Sequence, residues 1–282
     1  MSDSPTAASS APPELVLEAG RAEAHYWHDL WRYRELFWFL TWRDLLVRYK
    51  QTVVGIAWAL IQPALTTVVF CMFGRLLNLP TNGVPRAVLI YAAQLPWSFF
   101  ASSLSSSSNS VVSNAHLISK VYFPRLIVPA GAVAVSLVDF LINAVFLALL
   151  MAVYRVVPDW RLVVLPLFVA VAFAAALGAG LWLTALNVKY RDFRFVQPFI
   201  IQFGFYISPI AFTSDLVPAQ WRTLYSLNPM VGVIDGFRWA LLGGRSALDW
   251  TGVGISVAFV FVLLASGVWY FRKTEKTFAD VI

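Results

Sequence analysis

Charged side chains are scarce in this chain of 282 residues, and their scarcity excludes an ordinary soluble domain. Asp, Glu, Lys and Arg together make up 13% of the residues, whereas hydrophobic residues make up 59%. In a typical soluble protein about a quarter of the residues carry a charge. Most of this chain is therefore expected to lie in a nonpolar environment, which for a protein of this length means a lipid bilayer.

Cysteine, histidine and the short motifs of enzyme active sites are also nearly or wholly missing. The one cysteine, Cys71, has no partner within the chain, so no intrachain disulfide can form. The sequence contains no nucleotide-binding P-loop and no H-E-x-x-H zinc motif, and its three histidines fall outside the apolar cores of the spans described below. We therefore predict no catalytic residue, no metal site and no cofactor bound by this chain.

Long uncharged stretches are what the chain has instead. Five of them carry no charged side chain, and a sixth, residues 126–154, carries only Asp139. The five are residues 51–74, 87–119, 162–188, 195–214 and 250–271. A helix of about 20 apolar residues crosses the hydrocarbon core of a bilayer, and each stretch has at least that length. We predict an all-α polytopic membrane protein with six transmembrane helices in residues 51–272.

The distribution of Lys and Arg predicts which ends face the cytoplasm. Six crossings place both termini on one side of the membrane, and 14 of the 21 basic residues then fall on that side. Cytoplasmic loops of membrane proteins carry an excess of Lys and Arg. Both termini are therefore predicted to be cytoplasmic. The net charge of +6 is expected to face anionic lipid headgroups, with no role in binding nucleic acid.

Three segments flank the predicted spans. Residues 1–24 are rich in Ser, Ala and Pro, lack the pattern of a cleaved signal, and are expected to form a disordered tail. Residues 25–50 mix nine aromatic with five basic side chains, which favours an amphipathic helix in the cytoplasmic interface. The alternative for this segment is a simple anchor before the first span. Residues 273–282 are expected to form a short cytoplasmic tail.

Serine is concentrated in the second half of one uncharged stretch. Residues 102–113 contain eight serines and neither Gly nor Pro, which favours a helix over a flexible linker. Small side chains allow the backbones of membrane helices to approach each other closely. We therefore expect a closely packed helix here.

Two further features indicate positions of functional interest. Residues 227–242 are largely apolar but too few to cross a bilayer comfortably, which predicts a re-entrant hairpin at the outer mouth before the last span. Asp139 lies near the middle of its span, where an ionised carboxylate is costly unless it faces the interior of the bundle. Two roles are open for Asp139: a proton relay, or a hydrogen-bonded packing contact with Asn143 one turn later.

Four short strings, in order along the chain, resemble a known family. They are W-R-D-L-L-V-R-Y-K at 42–50, N-A-H-L-I-S-K-V-Y-F-P-R at 114–125, N-V-K-Y-R-D at 187–192 and L-N-P-M at 227–230. In register with six spans, they resemble the membrane subunit, or permease, of the type 2 ABC exporters that move O-antigen, capsule and teichoic-acid polysaccharides. The resemblance covers about residues 28–275.

The resemblance implies a homodimer in the bacterial inner membrane with two copies of a separate ATP-binding subunit, which carries ATP and Mg on the cytoplasmic side. It further implies a coupling helix within residues 114–125 that docks on that subunit, a second contact after residue 187, and an outer gate in residues 227–242. The expected partner-coupling residues are Asn114, Leu117, Lys120, Val121, Tyr122, Phe123, Arg125, Lys189, Arg191 and Asp192. The expected gate residues are Asn228, Pro229, Asp235, Arg238 and Trp239.

The function implied by the resemblance is ATP-driven export of a polysaccharide, such as a lipid-linked glycan, through a wide conduit. Aromatic side chains stack on sugar rings, and candidates for such contacts are Trp58, Tyr91, Trp97, Tyr206 and Trp239. Two alternatives stay open. One is a type 2 ABC exporter of drugs or lipids, and the other is an ion-coupled secondary transporter that uses Asp139.

Overall fold

All regular secondary structure in the described residues is helical. The structure is a computed structural model that describes residues 26–50, 55–190, 192–246 and 248–278, so the predicted tail at 1–24 and Arg191 lie outside it. The α-helices are α1 (Tyr26–Arg32), α2 (Arg34–Lys50), α3 (Gly55–Leu76), α4 (Arg86–Ser113), α5 (Ala115–Lys120), α6 (Ile127–Val153), α7 (Leu165–Lys189), α8 (Phe193–Ile207), α9 (Ala219–Tyr225), α10 (Pro229–Leu241) and α11 (Trp250–Glu275). Short 3₁₀ helices occupy Trp160–Val164 and Ser214–Leu216.

Four helical segments in the described residues are long and apolar enough to cross a bilayer. They are α4, α6, α11 and the segment Trp160–Lys189, which ends in α7. Of the other two predicted spans, α8 has 15 residues, and the described apolar part of α3 is Leu60–Leu76. At 1.5 Å per residue, α8 extends about 22 Å, less than a hydrocarbon core of about 30 Å. The six-span count therefore stays a prediction.

Contacts between helices show which helix ends lie together. At one end, Asn187 near the end of α7 donates to the backbone carbonyl of Ser108 at 2.9 Å. At the same end, Arg125 before α6 donates to the backbone carbonyl of Glu275 in α11. We call this end, which contains α5, the start of α6 and the last residues of α7 and α11, the coupling end. The opposite end is called the outer end.

α4 is the central helix of the bundle. In its most apolar 18-residue window, 78% of the residues are buried, against 22–33% in the other three candidate spans. It packs against α3, α6, α7 and α10. The serine-rich half is helical to Ser113, as predicted. Thr184 of α7 donates to the carbonyl of Ser107 at 2.8 Å, and a Cβ on Gly180 would lie 2.6 Å from the Ser107 hydroxyl. The small side chains therefore bring α4 and α7 into close contact.

α2 runs beside α6 in the same direction. A Cβ on Gly131 would lie 3.2 Å from the hydroxyl of Thr41, and eight residues later on both helices the Tyr49 hydroxyl donates to Asp139. The end of α2 therefore reaches a point about 18 Å along α6. The tryptophans of α1 and α2 are largely exposed: Trp27, Trp31, Trp38 and Trp42. α2 is thus aligned with a spanning helix, and its interfacial location stays a prediction.

α10 is a short, mostly buried helix at the outer end. It begins at Pro229, and the side chain of Asn228 accepts from the backbone N–H of Met230 at 3.0 Å, which caps the helix. α10 packs against α4, α7 and α11. The rings of Phe237 in α10 and Phe140 in α6 meet edge to face at 6.0 Å. The re-entrant placement of residues 227–242 stays a prediction.

Two glycines bring α7 and α11 into backbone contact. A Cβ on Gly178 would lie 2.8 Å from the backbone of Leu264, and a Cβ on Gly267 would overlap the carbonyl oxygen of Gly178. Real Cβ atoms do not approach backbone atoms this closely. The α7–α11 spacing therefore requires glycine at both positions.

We expect Gly267→Val to destabilise the protein by about 1–3 kcal/mol or more, because the added side chain must push two packed helices apart. The control is Gly254→Val on the same helix, where a Cβ would have no neighbour within 4 Å. Thermal unfolding of the purified chain in one detergent measures the difference. Equal midpoints for the two variants would contradict the packing described here.

Candidate transport groove and docking face

A groove of about 730 Å³ lies between α3, α4, α6 and α8, and we call it the polar groove. It places hydrogen-bonding side chains beside aromatic rings. Its polar side chains include Gln62, Thr66, Gln94, Ser98, Ser102, Asp139, Asn143 and Gln202. Its aromatic side chains are Phe70, Trp97, Phe99, Phe140, Phe205 and Tyr206. A surface of this kind can both stack on a ring and donate or accept hydrogen bonds.

Aromatic rings from three helices form one wall of the polar groove. Phe205 of α8 lies 5.6 Å from Phe70 of α3 and 6.2 Å from Trp97 of α4, measured between ring centroids. A Cβ on Gly204 would lie 2.7 Å from the Trp97 ring, so glycine is needed for this ring to fit against α8. Thr67 donates to the side-chain oxygen of Gln94 at 3.0 Å, which holds one amide of the wall in place.

Asp139 lines the polar groove, and its carboxylate is held by two side chains of α2. One carboxylate oxygen lies 2.6 Å from a terminal nitrogen of Arg48, and the other accepts from the Tyr49 hydroxyl. Asn143 donates at 2.8 Å to the backbone carbonyl of Asp139 and not to its carboxylate. The geometry favours the packing role for Asp139, with partners on α2 that the sequence did not indicate.

The predicted coupling segment is a short helix, α5, with an exposed end. Val121 and Tyr122 are 50% and 57% exposed, and Lys120 is also exposed. Leu117 is half-buried, whereas Phe123 is only 4% exposed and packs inside the coupling end. Phe123 is therefore an anchor of the segment, and the side chains available to a partner are those of residues 120–122.

The flanks of α5 are tied to the rest of the bundle. Asn114 lies between α4 and α5, and its side-chain oxygen accepts from Arg43 of α2 at 2.8 Å. Arg125 is held by the carbonyl of Glu275 and lies over the ring of Phe278. These contacts give Asn114 and Arg125 structural roles within the chain.

The second predicted contact also lies at the coupling end. Lys189 is exposed at the end of α7, and Asp192 is exposed just before α8. Arg191, between them, lies outside the described residues. We call Lys120, Val121, Tyr122, Lys189 and Asp192 the docking face. Its contact with a partner stays a prediction.

Arg238, predicted at the outer gate, is completely buried. Its guanidinium donates to the backbone carbonyls of Leu89 at 3.2 Å, Phe212 at 2.8 Å and Ile210 at 2.8 Å. These bonds fasten α10 to α4 and to the loop after α8. Asp235 lies one turn earlier on α10.

Residues 35–242 match the family described as ABC-2 type transporter. The match covers more than half of the chain and runs from α2 to the end of α10. The chain belongs to this family. Membership implies a multi-pass membrane protein that works with an ATP-binding partner subunit, and the α3, α4, α6 and α8 walls of the polar groove all lie within the matched residues.

Curated relatives of this ABC-2 transporter align with it over most of their length. The O-antigen export system permease protein RfbA of Klebsiella pneumoniae is 28% identical over 253 residues, covering 88% of this chain and 95% of the relative. The protein of the same name from Myxococcus xanthus is 25% identical over 257 residues, covering 90% and 98%. The polysialic acid transport protein KpsM of Escherichia coli is 21% identical over 240 residues, covering 83% and 91%.

Some of the sugar-stacking candidates lie in the polar groove of this ABC-2 transporter, and others do not. Tyr206 is exposed in the groove and Trp97 forms part of its wall but is only 5% exposed, whereas Tyr91 is buried and Trp239 lies at the outer end against Trp250. The side chain of Trp58 lies outside the described residues. The sequence did not indicate the glutamines and serines of the groove as sugar contacts. A polar side chain in an apolar helix does not reveal which neighbour it faces.

We expect Arg238→Ala to reduce the yield and thermal stability of folded protein, because three buried carbonyls would lose a charged donor. Removing one partner from a buried charged network typically costs about 3–5 kcal/mol. Arg238→Lys, which can still serve one or two carbonyls, should fall between the wild type and Arg238→Ala. Detergent-extracted yield and thermal unfolding measure this. Wild-type stability of Arg238→Ala would contradict the fastening role.

We expect Asp139→Leu to loosen α2, because Arg48 and Tyr49 would both lose their acceptor. Asp139→Asn keeps an acceptor for Tyr49 and should have the smaller effect. Limited proteolysis of membranes reports the release of α2, with Leu149→Ala on the exposed face of α6 as the control. Equal proteolysis of all three variants would show that Asp139 does not hold α2.

Proposed function

We propose that this chain is the membrane-spanning permease subunit of an ATP-driven exporter that moves a polysaccharide across the bacterial cytoplasmic membrane. The cargo class is that of O-antigen, capsule or teichoic acid, carried as a lipid-linked glycan. The observation that carries the proposal is the polar groove, whose lining contains both aromatic rings and hydrogen-bonding side chains. The names of the relatives that align along most of the chain support the same cargo.

The groove suits a sliding polymer better than a small, fixed ligand. Sugar rings offer apolar faces to Phe205 and Tyr206, and hydroxyls to Gln62 and Gln202. Many weak contacts of this kind bind a chain without trapping it. No ionised side chain except Asp139 and Arg48 lines the groove within the described residues, and those two neutralise each other.

The exporter works, in this proposal, as a homodimer with two ATP-binding subunits. A second copy of the chain, placed against the polar groove, would enclose it and complete a conduit for the polymer. The chain has no P-loop, so ATP and Mg are bound by the partner subunits. The docking face, residues 120–122 with Lys189 and Asp192, is the surface on which those subunits act, together with Arg191.

The topology proposed for the exporter has six crossings and both termini in the cytoplasm. α3 and α8 supply the two crossings beyond the four long apolar segments. The contacts of α10 with Phe140 and with the start of α4 support a re-entrant position at the outer mouth. Arg238 then has a structural role. The gate role is kept by the other four predicted residues, Asn228, Pro229, Asp235 and Trp239.

Two other functions fit the chain less well. An ABC-2 exporter of drugs or lipids shares the fold, but the names of the relatives that align along most of the chain favour a polysaccharide cargo. A secondary transporter using Asp139 requires a carboxylate that is free to bind an ion, and this carboxylate is engaged by Arg48 and Tyr49. Polysaccharide export is therefore the function that we infer.

Deletion of the gene tests the proposed cargo. We expect surface polysaccharide to disappear while lipid-linked polymer accumulates inside the cytoplasmic membrane, because synthesis precedes export. A plasmid copy of the wild-type gene should restore the surface polymer. It should not do so in a strain that also lacks the gene for the ATP-binding partner. Unchanged surface glycan, or drug sensitivity with normal glycan, would contradict the proposal.

A double variant tests the docking face. Val121→Asp with Tyr122→Asp should abolish co-purification of the ATP-binding subunit and export, because an apolar contact would acquire unpaired charge. Arg155→Gln with Arg245→Gln, which makes the same change of net charge at two exposed positions of the outer end, is the matched control and should keep the partner bound. Retention of the partner by the docking variant, or its loss from the outer variant, would show that the orientation is wrong.

A further inference from the structure

A second cavity, of about 700 Å³, lies at the coupling end and is separate from the polar groove. It is bounded by α1, by the loop after α5 and by the last three turns of α11. Its lining changes in character along α11. Ala265, Val268 and Trp269 form an apolar region, whereas Arg272, Lys273 and Lys276 form a basic region that lies closer to the end of the helix.

The charges in this cavity favour an anionic ligand. Four basic side chains line it, Arg125, Arg272, Lys273 and Lys276, against the two carboxylates of Asp29 and Glu275. Glu275 is already engaged, since one of its carboxylate oxygens accepts from the Tyr26 hydroxyl at 3.2 Å. Even when Lys276, which has a partner of its own, is left out of the count, Arg125, Arg272 and Lys273 outnumber the two carboxylates.

Arg272 is positioned as an anion-binding group. Its guanidinium lies 4.4 Å from the ring centroid of Tyr26 and 5.9 Å from that of Trp27. Stacking fixes the plane of a guanidinium and leaves its edge available for an oxygen acceptor. Its Nε is buried and donates no hydrogen bond within the described residues.

The length and order of the two regions match one kind of molecule. From Ala265 to Lys276 the cavity extends about 16 Å along α11, and Trp269, exposed at the boundary, is typical of the membrane interface. An apolar region that faces the bilayer, followed by a basic region at its edge, fits an acyl chain followed by a phosphate. Basic pockets between membrane helices bind anionic lipid headgroups in this manner.

We propose that this cavity binds one anionic phospholipid, with its phosphate at Arg272 and Lys273 and an acyl chain along residues 265–269. The lipid would fill the space between α1, the loop that follows α5 and α11. It would thereby hold the last helix against that loop. The site depends on the membrane location of the chain and on no property of the exported cargo.

The test measures binding of phosphatidylglycerol to the purified full-length chain in a neutral detergent, with phosphatidylcholine as the uncharged reference. Phosphatidylglycerol should bind more tightly. Arg272→Gln with Lys273→Gln should weaken its binding more than tenfold, at about fivefold per charge removed. Arg155→Gln with Arg245→Gln, the same change of charge at the outer end, should weaken it less than twofold. Lys273→Gln alone, at an exposed position, should give about a fivefold loss even if Arg272→Gln fails to fold.

A third variant separates a lipid from a free anion. Ala265→Trp fills the apolar region, so it should weaken the binding of phosphatidylglycerol. The affinity of the cavity for inorganic phosphate should stay unchanged. Three results would overturn the proposal: equal losses for the two double variants, full lipid binding by Ala265→Trp, or binding that rises more than tenfold when residues 279–282 are removed. The last would mean that the chain's own C-terminus occupies the cavity.

Discussion

The position of α4 at the centre of the bundle is the constraint on which the other contacts depend. A central helix must have neighbours on every side at short distance, and only small side chains allow this without separating the backbones. The serines of α4 meet Gly180 and Thr184 of α7, and Gly178 then brings α7 against α11. The three helices form a close-packed unit, and the polar groove is the space that remains between this unit and α3, α6 and α8.

A series of contacts joins the start of α5 to the polar groove. Asn114, just before α5, accepts from Arg43, and α2 continues from Arg43 to the pair of Arg48 and Tyr49 that hold Asp139 in the groove. α2 therefore contacts both the segment on which a partner is proposed to act and the surface along which the cargo is proposed to move. At the outer end, Arg238 fastens α10 over the other end of α4 in a comparable way.

Much of the fold was predictable, because membrane helices are apparent from the length of uncharged runs. The four long candidate spans and the helical serine-rich half of α4 follow from length and composition alone. The count of six does not, because α8 is short and a helix of 15 residues can cross, enter or lie beside a bilayer. The family was also predictable from four short strings, which the match over residues 35–242 supports.

The details of the site were less predictable, because they depend on which helices become neighbours. Asp139 was expected to face the interior, but its partners are about 90 residues away on α2 and share no periodicity with it. Arg238 and Phe123 were assigned to surfaces on the basis of resemblance, yet both are buried, since three carbonyls of distant segments and an apolar cluster surround them. Spacing along one helix cannot reveal such contacts.

Reconstituted transport is the most direct test of the account. The chain and its ATP-binding partner would be placed together in liposomes that carry a lipid-linked polysaccharide on the side of the partner, and a glycosidase on the opposite side would report polymer that has crossed. The account predicts release of sugar that requires ATP and both proteins, and that is lost when Gln202 and Tyr206, two exposed side chains of the polar groove, are replaced by alanine. Transport driven by a proton gradient without ATP, or unaffected by these replacements, would contradict it.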